Sequence, residues 1–364
     1  MKIVQIITLS EPFGGAQMVL YNIVERLRHK HEIFLIIGEE GRLTNELRKI
    51  GINCIIVESL QRKISISKDI KAYFEIKEIL QKINPDIVSS HSSKAGLLAR
   101  IVCHTLKLPN VFTAHGWSFT PGVSRKSRII FLFLEKIAGF FTDHIITVSE
   151  FDKQLASINR IVKPEKIKVI HNGAPDLYSF KAKDNNHNIK GVMVARFQFQ
   201  KDHSTLFMAL SILKEKKIHI DLIGDGPKEN EMKALAKQLD IENMLTFHGT
   251  RQDVPNFLNS ADFFLLITNF EGLPLSICEA MSCGLPIVAS DVGGIKEMVN
   301  HSENGYLIPR GSVSCLAESL DKLISNPLER EKMSKKSRSI YEEKFSIDQM
   351  VALTESYYYS ILKK

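Results

Sequence analysis

Short, solidly apolar runs alternate with amphipathic stretches along the whole chain. In the first half the strand-like runs are Ile3–Leu9, Glu32–Ile37, Asn53–Val57, Ile87–Ser90, Asn110–Ala114 and His144–Val148. Between them, Ala16–Arg28, Thr44–Lys49, Asp69–Lys82 and Lys94–Leu106 read as helices. In the second half the strands are Gly191–Ala195, His219–Ile223, Leu245–Phe247, Phe263–Ile267, Pro286–Ala289 and Gly305–Ile308. Ser204–Lys214, Lys228–Leu239, Val254–Asn259, Leu275–Ser282, Gly294–Val299 and Ser312–Leu323 are the helical stretches that accompany them. Strands apolar at nearly every position are covered on both faces, so this alternation predicts parallel sheets in an α/β fold. One sheet of about a dozen strands would be unusually wide. Two doubly wound, Rossmann-like domains facing a cleft are expected, with the break in the polar stretch His171–Asn188. Ligands of such sheets bind beyond the carboxyl ends of the strands.

With 364 residues, 44% apolar and 24% charged, the chain has the composition of a globular protein with a large core. The longest apolar runs, Ile129–Leu134 and Phe263–Ile267, fall far short of the roughly 18 residues a membrane span needs. The opening MKIVQIITLS reads as a buried strand rather than a signal peptide. Five cysteines show no metal-ligand spacing, which suggests buried thiols in a reducing compartment. Residues 1–175 carry 25 Lys/Arg against 16 Asp/Glu, whereas the remainder carries 23 against 25. The positive surplus therefore lies in the first half, either as a solvated surface or facing an anionic partner such as phospholipid. No zinc-finger, RNP or homeodomain-like pattern points to nucleic acid.

Five post-strand segments are candidates for the chemistry. In TNFEGLPLSICEAMSCG (268–284), Glu271 follows a strand, Gly272, Leu273 and Pro274 make a turn, and a helix begins about Leu275. Free N–H groups at that helix start suit a phosphate or a sugar hydroxyl. Glu271, and Glu279 eight residues on, are suited to accept from hydroxyl donors; alternatively they are a dipole-favoured helix-start Glu and an exposed helical Glu. Arg196 and Lys201 bracket the loop after Gly191–Ala195, where two fixed cations suit a diphosphate, or else are solvated charges. Gly14 and Gly15 follow the first strand and would admit a ligand close to backbone, or simply turn the chain. Gly224 and Gly226, in Ile223–Pro227, lack the remaining elements of a phosphate-loop signature. His115 stands at a strand end in Thr113–Trp117, as a structural or a catalytic side chain. No Asp-x-Asp, no His/carboxylate cluster of metal spacing and no Gly-x-Ser-x-Gly elbow occurs, so no metal and no cofactor is expected.

Taken in order, GGAQ (14–17), Val148-Ser149-Glu150, VIHNGAP (169–175), Arg196 with Lys201, IGDGP (223–227), Glu271…Glu279, CGLPIVASDVGGIKEMV (283–299) and Asn304–Leu307 resemble retaining glycosyltransferases of family 4, with the GT-B fold. The resemblance implies an acceptor-side domain at 1–172, a nucleotide-sugar domain at 173–345 and a terminal helix at 346–364 crossing back to the first domain. Arg196 and Lys201 would hold the donor diphosphate, and Glu279 the ribose. Glu271 and the backbone of Gly272, Leu273, Pro274 and Leu275 would contact the donor sugar. Gly14 and Gly15 would approach diphosphate and sugar, and His115 would sit beside the transferred sugar. The base would lie near Phe247–Arg251, including Thr250 and Arg251, and near Ile223–Gly226, including Gly224 and Gly226. UDP is the expected donor base on family frequency.

The acceptor is read from WSFTPGVSRKSRIIFLFLEKIAGFF (117–141). Most of this helix is expected to pack on the sheet as core. Its leading end, Trp117 with Arg125, Lys126 and Arg128, is a candidate lip for an anionic membrane surface. The GGAQ opening and this segment look most like bacterial enzymes of capsule, O-antigen or exopolysaccharide synthesis. These act on polyprenyl-diphosphate-linked saccharides, so a cytoplasmic protein peripheral on the inner membrane is implied. A transferase with a small soluble acceptor, a nucleotide-sugar epimerase and a non-catalytic sugar-nucleotide binding module are the alternatives.

Overall fold

The computed structural model describes residues 1–179 and 188–363, so positions 180–187 of the expected break lie outside the described residues. The chain divides into two compact units, Met1–Asn172 with Asp348–Lys364, and Gly173–Ile347.

The first unit holds strands β1 (Lys2–Ile7), β2 (Glu32–Ile37), β3 (Asn53–Ile56), β4 (Ile87–His91), β5 (Asn110–Ala114), β6 (His144–Thr147) and β7 (Ile167–Val169). Its helices are α1 (Gly15–Leu27), α2 (Arg42–Lys49), α3 (Ile66–Ile83), α4 (Ser93–Leu106), α5 (Arg125–Gly139) and α6 (Glu150–Ile158). The strands form one parallel sheet in the order β3-β2-β1-β4-β5-β6-β7. The second unit holds β8 (Ile189–Val194), β9 (Ile218–Ile223), β10 (Leu245–Phe247), β11 (Phe263–Leu266), β12 (Ile287–Ser290) and β13 (Gly305–Ile308). Between them run α7 (His203–Ile212), α8 (Glu229–Gln238), α9 (Val254–Ser260) and α10 (Leu275–Ser282), followed by α11 (Val313–Ser325) and α12 (Pro327–Lys344). This parallel sheet is ordered β10-β9-β8-β11-β12-β13. Both orders reverse direction once, at β1/β4 and at β8/β11, which is where a doubly wound sheet opens a crevice for a ligand. β7, α6 and α12 were not evident from hydropathy, because β7 has only three residues and α12 buries few of its eighteen.

The last helix, α13 (Ile347–Leu362), packs within the first unit. Its Tyr358 is fully buried and donates to Ser89 Oγ at 2.9 Å. Its Glu355 lies 2.7 Å from His31 Nε2, and Tyr357 Oη is 3.0 Å from His144 Nδ1. Cys103, Cys278 and Cys283 are buried as expected, whereas Cys54 and Cys315 are only partly so. No described helix is long and apolar enough to cross a membrane.

The expectation of α5 as a core helix is overturned. Glu135 and Ala138 are its fully buried residues, and Phe131 and Leu132 reach the core partway. Ile129, Ile130, Phe133 and Phe140 are 54–82% exposed. The cause is a buried ion pair: Arg100 of α4 donates to Glu135 at 2.9 Å, and its guanidinium lies 4.3 Å from the centre of the Phe112 ring. Arg100 Nε also donates to Gly96 O at 2.8 Å. Glu135 must therefore face inward, which turns the apolar side of α5 outward.

Glu135→Ala would leave Arg100 buried without its counter-charge. We expect a loss of about 3–5 kcal/mol in urea unfolding. Arg100→Met combined with Glu135→Leu should recover most of that loss, since an apolar pair removes both desolvation costs.

Candidate functional site

In the second unit, loops from four adjacent strands carry the candidate residues at their carboxyl ends. The loops after β8 and β11 pair with each other across the reversal point. Asp202 N–H donates to Ile267 O at 2.9 Å, and Asn269 N–H to Gln200 O at 2.7 Å. Lys201 and Glu271 are thereby brought together from positions 70 residues apart. Lys201 Nζ donates to Glu271 Oε1, which also accepts from Thr268 Oγ1 at 2.8 Å. Both partners of this ion pair are largely buried, at 13% and 9% exposure. Thr268 was not among the sequence candidates, although it stands three residues before Glu271.

Arg196 is the more open cation. Its Nε lies 3.8 Å from Asp225 Oδ1, and its side chain is 46% exposed. Thr250 Oγ1 donates to Asp225 Oδ2 at 2.8 Å. Gly224 N–H donates to Gly249 O at 2.8 Å, which links the loops after β9 and β10. Gly226 has a φ of +153°, and a Cβ there would lie 2.4 Å from Phe197 O. The glycine thus lets this loop close onto the loop after β8. Phe197 is buried and stacks on His203 at 4.2 Å and on Phe247 at 5.6 Å, which anchors the segment that carries Arg196. Arg251 is turned to Asp253 by two hydrogen bonds of 2.8 and 2.9 Å.

Leu273 and Pro274 are buried, and Pro274 is the residue that precedes the first turn of α10. Gly272 O accepts from Gly294 N–H at 2.9 Å. Gly293, with φ +58°, has no room for a Cβ, which would lie 2.0 Å from Glu271 O. The carbonyl edge of Glu271 is thus fixed by backbone packing rather than by its own charge. Glu279 sits in the second turn of α10, half-buried, with no cation facing it among the described residues. Desolvation pushes its carboxyl up to about 7.

The first unit holds a group of its own. Gly14 and Gly15 are exposed at the start of α1, where Gly14 N–H donates to Gln17 Oε1 at 3.3 Å and Gln17 Nε2 to Leu9 O at 3.1 Å. His115 follows β5, and its Nε2 lies 2.8 Å from His91 Nδ1. Burial pushes its pKa down to about 4, so the ring is neutral at pH 7. Arg125, Lys126 and Arg128 are exposed on the first turn of α5. Trp117 is a correction: it is 3% exposed, donates from Nε1 to Asp152 O at 2.9 Å and stacks on Phe119. It is a core residue and cannot belong to a membrane-facing lip. His91 was missed, though it ends β4 just as His115 follows the end of β5. Among the described residues no group of three or more metal-ligating side chains occurs.

Residues 13–176 match the model of Glycosyltransferase Family 4, and residues 176–340 that of Glycosyl transferases group 1. The chain is 31% identical over 326 residues to the Escherichia coli UDP-Gal:alpha-D-GlcNAc-diphosphoundecaprenol alpha-1,3-galactosyltransferase, with 84% of each chain covered. The chain belongs to this glycosyltransferase family. It is also 29% identical to the Escherichia coli O-antigen biosynthesis glycosyltransferase WbnH, covering 90% of this chain and 91% of that one. Anabaena HepE, solved in complex with UDP-glucose, has the same fold, with a TM-score of 0.84 at 23% identity over 98% of this chain and 99% of that one. The expected GT-B architecture of two Rossmann-like domains is therefore present.

A carboxylate whose pKa is raised by desolvation costs stability from its unfolded pKa upward, and costs it in full above its folded pKa. The cost of Glu279 is absent below about pH 4.5, grows as pH rises towards 7, and is fully present above that. Glu279→Gln is therefore expected to melt with the unsubstituted protein at pH 4 but about 2–4 °C above it at pH 8. Calorimetry at the two pH values measures the difference.

Proposed function

We propose that this glycosyltransferase moves a hexose or N-acetylhexosamine from a UDP-sugar, with retention and without a metal, to a saccharide on polyprenyl diphosphate in bacterial surface-polysaccharide synthesis. The observation that carries the reading is the loop cluster of the second unit. There an open Arg196, the Lys201–Glu271 pair, the N-terminus of α10 and the desolvated Glu279 carboxylate share one sheet edge. In the transfer, the bond from the anomeric carbon to the diphosphate oxygen breaks and the acceptor hydroxyl oxygen replaces it. The departing diphosphate gains negative charge, which Arg196, Lys201 and the free N–H groups of α10 are suited to stabilise. Glu279, with no cation beside it among the described residues, is suited to accept from the ribose hydroxyls. Glu271 and the backbone of Gly272–Leu275 would meet the sugar. Gly14, Gly15 and His115 would serve the sugar and diphosphate from the first unit, and Gly224, Gly226, Thr250 and Arg251 the base side. No protein nucleophile is assigned.

The named relative in Escherichia coli uses a UDP-sugar and a diphosphoundecaprenol-linked acceptor, which supports both ends of the reaction. Two helices support a lipid-proximal acceptor. Besides the exposed face of α5, Ile66, Ile70 and Phe74 stand 54–78% exposed on α3, and both helices pack against α4. Arg62, Lys63, Lys68 and Lys71 border the α3 stripe, as Arg125, Lys126 and Arg128 border that of α5. Each basic side chain near an anionic surface adds about 1 kcal/mol. This combination fits a peripheral protein at the cytoplasmic leaflet.

A thermal-shift and hydrolysis screen with UDP-, GDP- and ADP-sugars, without added metal, tests the donor. Stabilisation by the UDP class alone is expected, lost in Arg196→Ala and Glu279→Ala. Lys201→Ala should abolish turnover, and full activity in that variant would refute the diphosphate assignment. For the acceptor, flotation with phosphatidylglycerol vesicles should be lost in Ile129→Asp/Phe133→Asp while donor hydrolysis persists.

A further inference from the structure

The first unit contains a buried polar chain that ends at His115 and whose other members the site above leaves unused. Gln5 on β1 pairs in register with Ser89 on β4, and His91 lies two residues further on the same face. All three side chains are fully buried. Tyr358 of α13 reaches this face through its bond to Ser89. His91 Nε2 lies 2.9 Å from Gln5 Oε1, and His91 Nδ1 lies 2.8 Å from His115 Nε2. The two rings stack with centroids 5.1 Å apart and planes inclined by 25°.

The hydrogens in this chain can be counted. The Gln5 carboxamide turns its oxygen to His91 and leaves its own Nε2 buried without a partner among the described residues; that oxygen only accepts, so His91 Nε2, which also lies 3.5 Å from Ser89 Oγ, carries a hydrogen and donates to Gln5. Burial holds both rings neutral. A neutral imidazole has one N–H, so His91 Nδ1 is a bare acceptor and takes the hydrogen of His115 Nε2. That leaves His115 with a bare Nδ1. This atom is buried and has no hydrogen-bond partner among the described residues. An acceptor orphaned at the end of such a chain is unfavourable unless something donates to it. A hydroxyl of a bound sugar is a donor of that kind. The surrounding sheet also explains why the ring cannot satisfy itself by turning over. A flip of His115 would break its bond to His91, and a change of tautomer at His91 would set its lone pair against Gln5 Oε1.

We propose that His91, oriented by Gln5, is a positioning residue that locks His115 in the Nε2–H tautomer, so that His115 Nδ1 accepts a hydrogen bond from a hydroxyl of the transferred sugar. The inference rests on the reading of His115 as the neighbour of that sugar and gives it a definite polarity. It also makes the site a filter: a donor sugar whose matching hydroxyl is replaced by hydrogen leaves a buried acceptor unpaired, which costs more than the loss of an ordinary contact.

Nitrogen-15 spectra of the histidine-labelled protein at pH 7.5 test the lock directly, with His115→Gln supplying the assignment. A protonated Nε2 and a pyridine-like Nδ1 are expected for His115 in the ligand-free protein. On saturation with a UDP-sugar that is turned over, the Nδ1 signal should move upfield as it accepts a hydrogen bond, and UDP alone should not move it. Gln5→Met, which removes the acceptor at similar volume, should lower kcat about tenfold or more while leaving the Kd for UDP within twofold. An Nδ1-protonated or cationic His115 in an active enzyme overturns the lock, as does full kcat in a folded Gln5→Met. Absence of turnover with every nucleotide sugar overturns the transferase reading instead and takes the sugar contact with it. The spectrum of the ligand-free protein separates these outcomes even where a variant fails to fold.

Discussion

Parallel pairing decides where the chemistry of this chain collects. A strand that must be followed by a crossover of the same hand sends each of its outgoing loops to the same edge of the sheet. The reversal of strand order then places two such loops side by side without a strand between them. In the second unit those are the loops after β8 and β11, and their backbones join through the Asp202–Ile267 and Asn269–Gln200 hydrogen bonds. Lys201 and Glu271 meet because the sheet is wound this way. In the first unit the same rule puts Gly14 after β1, His91 at the end of β4 and His115 after β5.

The charges at this edge are not equivalent. Lys201 is held by Glu271 in a largely buried pair, so its charge is already compensated. Arg196 faces Asp225 at 3.8 Å across a more exposed gap, and that contact is weak enough to yield to a competing anion. A buried pair repays its desolvation only with good geometry and further hydrogen bonds, which Thr268 supplies to Glu271. Lys201 is therefore suited to hold Glu271 in place as much as to meet an anion, and Arg196 is the cation free to change partners. Glu279 lies at the other extreme, a desolvated carboxylate with no counter-charge among the described residues.

Much of this was legible in the sequence because it depends on local pattern. Apolar runs marked twelve of the thirteen strands among the described residues, and β7 escaped because three residues carry too little periodicity. Glu271, Glu279, Arg196 and Lys201 could be singled out because each sits near a strand end or a helix start. Which of them touch could not be read, since strand order is a property of the folded sheet. The Gln5–His91–His115 chain was invisible for the same reason: its members lie on, or directly after, three strands that become neighbours only through the winding. Trp117 misled because an aromatic beside basic residues looks the same whether its indole finds a buried carbonyl or a lipid headgroup.

The sequence of α5 shows why apolarity alone does not orient a helix. Ile129, Ile130, Phe131, Leu132, Phe133 and Leu134 run consecutively, so apolar side chains point in every direction and the hydrophobic effect selects no single face. A charged residue breaks the tie. Arg100 is fully buried on α4, where an unpaired guanidinium would be far costlier than the exposure of a few methyl groups. Glu135 supplies its counter-charge only if it faces inward, and one turn of helix then fixes the rest. Phe131 and Leu132 go partly to the core, while Ile129, Ile130 and Phe133 go outside. The exposed apolar face beside the basic first turn is thus a consequence of burying one ion pair. That makes the orientation of α5 a matter of electrostatics, which hydropathy could not have revealed.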